Sequence, residues 1–346
     1  MRMNKLLPDE LVGEFYAVGS VGDRSHDAPL EYVSRIKIPY AFTLPNLREE
    51  DMIRQFAVLV PGFEREGNLI QDINLHIYRE ITENDLPLLP LEMSFGSLYQ
   101  MVGKRKFVYF KTQQTAPASM CFSTRDKTGK QLISKSMFHF YASLMKRIAE
   151  GQRKHLYEHC DKLMLCQDDP ALGFVIEIIN RGDVSNLTLK HIMKVTDQIY
   201  PSDVIPSFHY CDDWRRLGFN GWHAIWSSRP KIAHLDVLSY PPEIDMGQAE
   251  LINKFLEDGG GIALGVLPNQ DDALHGEIPE VLHHNLIAAL MAFQESGVSL
   301  DLIRSSCMIS TQCGLYAASE SLSKSIHLGS QHFPAIYDAA FSQLGH

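Results

Sequence analysis

The chain has 346 residues, 45% of them hydrophobic, and a formal net charge of −10 at pH 7. This composition is typical of a globular protein with a sizeable core, and the acidic charge argues against nucleic acid or an anionic membrane as the main partner. No apolar run approaches the ~20 residues that span a bilayer, and the N-terminal residues lack a secretory signal. We therefore predict a cytoplasmic protein whose six cysteines are core residues or ligands, not a disulfide framework.

Eight short apolar runs alternate along the chain with longer amphipathic stretches. Near-continuous apolar runs of this length predict parallel strands that are buried on both faces of a sheet. In chain order, the runs cover residues 15–20, 86–92, 107–110, 163–167, 204–211, 232–239, 261–267 and 306–310.

The stretches between these runs have helical periodicity. Met137, Tyr141, Leu144 and Ile148 recur at helical spacing, and a similar stripe lies within residues 282–293. Alternating strands and helices predict an α/β protein with a parallel sheet, and a count of eight strands favours a (β/α)₈ TIM barrel. We predict a single domain over residues 1–346, with an open doubly wound sheet as the alternative.

Polar residues lie at or near the ends of several predicted strands. Ser20 ends the first run, Glu92 ends the second, and Asp168 follows the fourth. Asp236 lies within the sixth run, and Cys313 lies just past the eighth. Because the carboxyl ends of barrel strands meet at one mouth, where active sites form, we expect these side chains to converge there.

His209 and Cys211 lie two residues apart near the end of the fifth predicted strand, so their side chains point to the same face. A neutral imidazole and a thiolate are good zinc ligands, Cys313 supplies a third, and the Asp236 carboxylate could complete a tetrahedron. Such a site leaves a position that substrate can take. The alternative is that the histidine and cysteines are core residues, because an isolated H-x-C pattern is weak and buried cysteine is common.

Four segments carry a family resemblance. Val18-Gly19-Ser20 resembles an I-G-S segment, and residues 167–172 (QDDPAL) resemble a Q-x-D-E-P-A-L segment in which aspartate replaces the usual glutamate. Residues 208–211 (FHYC) resemble an H-x-C zinc motif, and residues 313–315 (CGL) resemble a C-G-L zinc motif. In this order they resemble the catalytic barrel of cobalamin-independent methionine synthase. That family belongs to the superfamily of uroporphyrinogen decarboxylase and the coenzyme M methyltransferases.

The resemblance implies a zinc ion held by His209, Cys211 and Cys313. Asp236 falls near the glutamate ligand of the family, although its side chain is shorter. The chain departs from the full-length synthase, which has a second, N-terminal barrel that helps to bind folate. It also lacks the arginine-rich N-terminal segment of the decarboxylases, which disfavours porphyrin decarboxylation.

The resemblance also implies substrate contacts. Asp168 matches the carboxylate that holds the amino group of the thiol amino acid, Glu92 is a candidate for a second such carboxylate, and Ser20 matches the segment that holds the substrate carboxylate. The implied activity is methyl transfer to a thiol, with homocysteine as the first choice, giving methionine. The implied donor is methyltetrahydrofolate or a methylcobalamin protein.

Three alternatives remain open at this stage. The first is a corrinoid-linked or coenzyme M-type thiol alkyltransferase of the same superfamily. The second is a non-catalytic relative in which zinc only braces the barrel, and the third is a plain α/β protein without a metal.

Overall fold

The computed structural model describes residues 5–64, 69–103, 105–219 and 221–346. Its strands are β1 Phe15–Tyr16, β2 Phe107–Thr115, β3 Cys160–Asp168, β4 Ile205–His209, β5 Gly218–Phe219, β6 Trp222–His223, β7 Ile232–Asp236, β8 Gly261–Leu267 and β9 Cys307–Thr311. Seven of them form one parallel sheet in the order β1-β9-β8-β7-β4-β3-β2, which makes a half-barrel, and β5 and β6 form a separate antiparallel pair.

α-Helices connect successive strands of the sheet, as the α/β pattern predicts, except between β4 and β7, where the chain forms a 3₁₀ turn and the β5–β6 pair. Short 3₁₀ turns also occur, and two of them, Arg48–Glu50 and Glu92–Ser94, lie between β1 and β2. The α-helices are α1 Asp27–Val33, α2 Arg54–Ala57, α3 Leu75–Thr82, α4 Gly96–Gln100, α5 Pro117–Ser123, α6 Lys135–Leu156, α7 Leu172–Asn180, α8 Leu189–Asp197, α9 Met246–Glu257, α10 Ile278–Glu295, α11 Leu300–Ser306, α12 Glu320–Gly329 and α13 Phe333–Gln343.

The helical stripes predicted from the sequence lie in helices. Tyr141, Leu144 and Ile148 of α6 are fully buried, and the stripe at residues 282–293 forms the buried face of α10. Helix α6 begins at a serine cap, where the Ser134 hydroxyl accepts a hydrogen bond from the amide of Met137 at 3.2 Å. None of the helices in the described ranges combines the length and the apolar character needed to cross a bilayer.

The second predicted strand, residues 86–92, is wrong. These residues form an extended connection that ends in the 3₁₀ turn at Glu92. Proline has no amide hydrogen to donate, and Pro87 and Pro90 therefore break a central strand. The connection packs on α6 instead, where the amide of Leu88 donates to the carbonyl of Arg147 at 3.0 Å.

Isolated parallel bridges flank the two edges of the sheet. Tyr40 bridges Lys111 of the edge strand β2, and Thr43 bridges Ser20, which follows the edge strand β1. The amide of Thr43 also donates to the carbonyl of Gly19 at 3.0 Å. The segment at residues 40–43 therefore contacts both edges of the half-barrel, in the place predicted for the strand at residues 86–92.

Candidate metal centre

The register of the sheet sets three polar side chains side by side on neighbouring strands. Asp168 of β3 is paired with His209 of β4, and His209 is paired with His234 of β7. Both histidines are buried, and burial of this kind requires hydrogen-bond partners. Asp168 and His209 are predicted from the sequence, whereas no sequence pattern marks His234.

Cys211 and Cys313 join His209 from the loops that follow β4 and β9. One potential ligand atom from each of the three residues lies within 4.8 Å of the other two. Cys313 Sγ lies 3.6 Å from His209 Nε2. No other group of three histidine, cysteine or acidic side chains in the described part of the chain meets this criterion. Two sulfurs and one imidazole nitrogen are a donor set that fits zinc.

The two thiols perturb each other. The pKa of Cys313 is well below its usual range because its sulfur accepts from the Cys211 thiol and from His209, which together outweigh burial. The pKa of Cys211 is raised, first by its hydrogen bond to Cys313 and then by burial. The pair therefore holds one negative charge beside the imidazole. This arrangement is suited to a cation that would displace the remaining proton.

The structure does not bring Asp236 into the group of three. Its Oδ1 accepts hydrogen bonds from the backbone amides of Leu238 at 3.1 Å and Ser239 at 2.9 Å. Both amides belong to the turn that follows β7, so the carboxylate braces this turn. The assignment of Asp236 as a fourth metal ligand stays a prediction.

A cavity of about 330 Å³ opens beside the group of three. Five of the residues predicted for the site line it, whereas Glu92 and Asp236 do not. The five are Ser20, Asp168, His209, Cys211 and Cys313.

Glu92 is solvent-exposed at the start of a 3₁₀ turn, because the strand that was expected to carry it to the mouth does not form. A different carboxylate, Glu50, lines the cavity. Its Oε1 lies 2.7 Å from His26 Nε2, and its Oε2 accepts from the amide of Leu44 at 2.7 Å. The segment around Glu50 reads as a polar surface loop, and we see no signal in the sequence that would have singled it out.

Asp168 has a mixed electrostatic environment. Burial raises the pKa of its carboxyl group, while His209 and Lys111 act to lower it. The Cys166 thiol donates to Asp168 Oδ1 at 3.1 Å. Lys111 is fully buried nearby, and its ammonium donates to the carbonyl of Val18 at 2.7 Å. A cationic group of a ligand in the cavity would be a further partner for the Asp168 carboxylate.

Two glycines allow close packing of the wall that carries Ser20. A Cβ atom on Gly314 would lie 2.0 Å from Ser20 Oγ, so any side chain there would displace the hydroxyl. Gly19 has a φ of +151°, and a Cβ atom on it would lie 2.4 Å from the Gln113 amide nitrogen. Both glycines belong to the sequence segments that carried the family resemblance.

Comparison with solved structures finds a likeness in fold. No family model matches the chain, and no curated protein matches it. A solved B12-independent methionine synthase from Shewanella sp. W3-18-1, in complex with selenomethionine, matches with a TM-score of 0.57 at 12% sequence identity. The match covers 96% of this chain and 99% of that chain. At this identity the likeness shows a shared α/β fold built on a parallel sheet.

Proposed function

We propose that this protein is a zinc-dependent methyltransferase that moves a methyl group to a thiol, with homocysteine as the acceptor. The observation that carries the proposal is the meeting of His209, Cys211 and Cys313 at a cavity that Asp168 also lines. The likeness to the methionine synthase fold supports it. We also propose that the chain is a cytoplasmic, single-domain (β/α)₈ barrel closed through the bridges at Tyr40 and Thr43.

The residues fit the chemistry of thiol activation. A free aliphatic thiol is mostly protonated at neutral pH, with a pKa near ~8.5. Zinc, when bound, lowers the pKa of a coordinated thiol and so supplies a nucleophilic sulfur. His209, Cys211 and Cys313 would hold the ion, and the two cysteine ligands would keep the net positive charge of the site low.

The remaining site residues would bind and orient the acceptor. Asp168 would pair with the ammonium group of homocysteine, and Ser20 would contact its carboxylate. In the transfer, the acceptor sulfur forms a bond to the methyl carbon while the bond from that carbon to the donor breaks, and the thiol gives up its proton. The nitrogen of methyltetrahydrofolate would leave with the bonding electron pair and take up one proton, whereas with a methylcobalamin protein the electron pair would stay on cobalt and the proton would pass to solvent. The donor would be methyltetrahydrofolate or a methylcobalamin protein, and an assay with each in turn distinguishes them.

Metal analysis is the first test of the proposal. We expect about one zinc per chain, and homocysteine added to the cobalt-substituted protein should intensify and shift the sulfur-to-cobalt charge-transfer band that Cys211 and Cys313 already give. A correctly folded protein that takes up no metal would refute the proposal. A cobalt spectrum that no thiol perturbs would instead favour a relative in which the metal only braces the fold.

Asp168→Asn tests the acceptor. Loss of the charged partner should weaken homocysteine binding by about ten- to a hundredfold, the usual value of a hydrogen bond between charged groups. Binding of 4-mercaptobutanoate, which lacks the amino group, should change little, and the zinc content should stay the same. Titration of both thiols against the cobalt protein measures the difference. Equal losses for the two thiols would point to an acceptor without an ammonium group.

A further inference from the structure

His234 lies behind the group of three, on the neighbouring strand β7. Its Nδ1 is 2.8 Å from His209 Nδ1, and its Nε2 is 2.8 Å from the carbonyl oxygen of Thr311 in β9. The side chain is fully buried, and the Tyr16 ring stacks on it with a centroid distance of 6.0 Å and an interplanar angle of 28°. The imidazole therefore bridges two strands in one fixed orientation.

The two contacts of His234 determine which nitrogens carry protons. A carbonyl oxygen can only accept, so the proton of a neutral His234 must lie on Nε2, which donates to Thr311. Its Nδ1 is then an acceptor, and the proton between the two rings belongs to His209 Nδ1. Once a cation displaces the proton between His209 Nε2 and Cys313 Sγ, His209 consequently has its lone pair on Nε2, the atom that lies 3.6 Å from that sulfur.

The neutral form of His234 follows from its surroundings. Neither of its ring nitrogens contacts a carboxylate in the described part of the chain, and an unpaired charge in a fully buried position is costly. Both nitrogens are occupied by hydrogen bonds, so His234 is not itself a ligand in this arrangement. Metal-binding histidines commonly donate their second N–H to a fixed acceptor, which orients the ring and selects the tautomer.

We propose that His234 is a positioning residue that holds His209 in the tautomer whose Nε2 is free to bind a metal ion. The inference rests on the proposed function, since it concerns the same centre. It adds a partner for His209 that is 25 residues away and that none of the sequence motifs contains. The carbonyl of Thr311 is the fixed end of this chain of hydrogen bonds.

Zinc affinity tests this role without recourse to activity. Competition against a chromophoric chelator should show that His234→Leu binds zinc about ten- to a hundredfold more weakly than the wild type, the usual effect of losing such a partner. His234→Gln should stay within a few fold of the wild type, because an amide can accept from His209 and donate to Thr311. The matched control is His327→Leu, which removes another fully buried histidine whose contacts lie outside the group of three. Its zinc affinity should be unchanged.

The ring nitrogen chemical shifts of the metal-free wild type provide a second readout, which does not depend on any variant folding. We expect a proton on Nε2 and none on Nδ1 of His234, and a proton on Nδ1 of His209. A His209 ring protonated only at Nε2, or equal zinc affinity of the wild type and a folded His234→Leu, would overturn the inference while leaving the proposed function intact. A wild type that binds no zinc, with the expected tautomers present, would instead refute the proposed function.

Discussion

Two buried histidine networks in this fold are built alike and differ in one contact. In both, a ring nitrogen donates to a backbone carbonyl: His234 to Thr311 at the mouth, and His327 to Ser323 within helix α12. The second nitrogen of His327 accepts from the Tyr40 hydroxyl at 2.8 Å, which closes that network. The second nitrogen of His234 instead accepts from the imidazole of His209, which faces two thiols and a cavity.

The difference shows that burial alone does not determine what a histidine can do. Burial lowers the pKa of His327 to about 4, because no charged partner offsets the loss of water. Burial also acts to lower the pKa of His209, but hydrogen bonding to Cys313 and the charges of Cys313 and Asp168 more than offset it, and the pKa is raised. The first network is a stabilising contact of the core, and the second is a centre whose protons a cation can replace.

The largest expected effect is on the zinc content of the centre that holds the two thiols. Cys211→Ser replaces a soft thiolate ligand by a hydroxyl, so zinc content should fall from about one per chain to below about a tenth. Far-ultraviolet circular dichroism should remain that of the wild type, and elemental analysis gives the metal content. The control is Cys160→Ser. Cys160 begins β3, at the end of the strand away from Asp168, and is not in the group of three, so this variant should keep its zinc. Full zinc retention in Cys211→Ser would contradict the assignment of the His209 network as a metal centre.

The hydrogen bonds of His327 with Tyr40 and Ser323 should affect stability only. His327→Leu leaves the buried Tyr40 hydroxyl without its acceptor, and we expect the free energy of unfolding to fall by about 2–4 kcal/mol. Denaturant titration measures the loss, and the zinc content of the folded variant should match the wild type. A drop in zinc content at unchanged stability would reverse the roles assigned here.

The contribution of His327 to the free energy of unfolding should also depend on pH. The pKa of His327 is about 4 in the folded protein, below its ordinary value of 6.5, so the unfolded chain binds this proton first as the pH falls. Folding stability from this group is therefore lost between about pH 6.5 and pH 4, by up to about 3 kcal/mol, and levels off below that. Glutamine does not titrate in this pH range. The difference in unfolding free energy between the wild type and His327→Gln should therefore shrink as the pH falls from about 6.5 to about 4. A constant difference in denaturant titrations at pH 7, 5.5 and 4.5 would contradict the assignment.

The smallest expected effect is at Glu92. This side chain is exposed and does not line the cavity, so Glu92→Gln should leave homocysteine affinity within about twofold of the wild type. Asp168→Asn, measured in the same thiol titration, provides the contrast. A loss at Glu92 as large as that at Asp168 would mean that the connection carrying Glu92 folds over the mouth when ligand binds.

Much of the fold and part of the site can be predicted from the sequence. Seven of the eight predicted runs overlap strands of the sheet, because buried parallel strands need unbroken apolar stretches. The spacing of two suggested that His209 and Cys211 lie close together, although β4 ends at His209 and Cys211 lies in the loop that follows it. Cys313 could be brought to them because strand ends converge. These inferences use local periodicity and one rule of topology.

The rest depends on contacts that no local pattern encodes. The segment at residues 40–43 joins the sheet edges by isolated bridges and is bounded by prolines, so it does not read as a strand. The run at 86–92 is more apolar, yet its prolines exclude it from a sheet. His234 stands alone in an apolar strand and reads as a core residue. Its role emerges only from the register that pairs β4 with β7.

The row formed by Asp168, His209 and His234 has a kinetic consequence. Its members come from three strands and become neighbours only when β3, β4 and β7 are in register, and Cys313 arrives only after β9. Contacts between residues this distant in sequence form late, because loop closure costs entropy before they are gained. Tight capture of a metal ion should therefore coincide with completion of the sheet during refolding. The rate of zinc uptake by a refolding chain would then time its final assembly step.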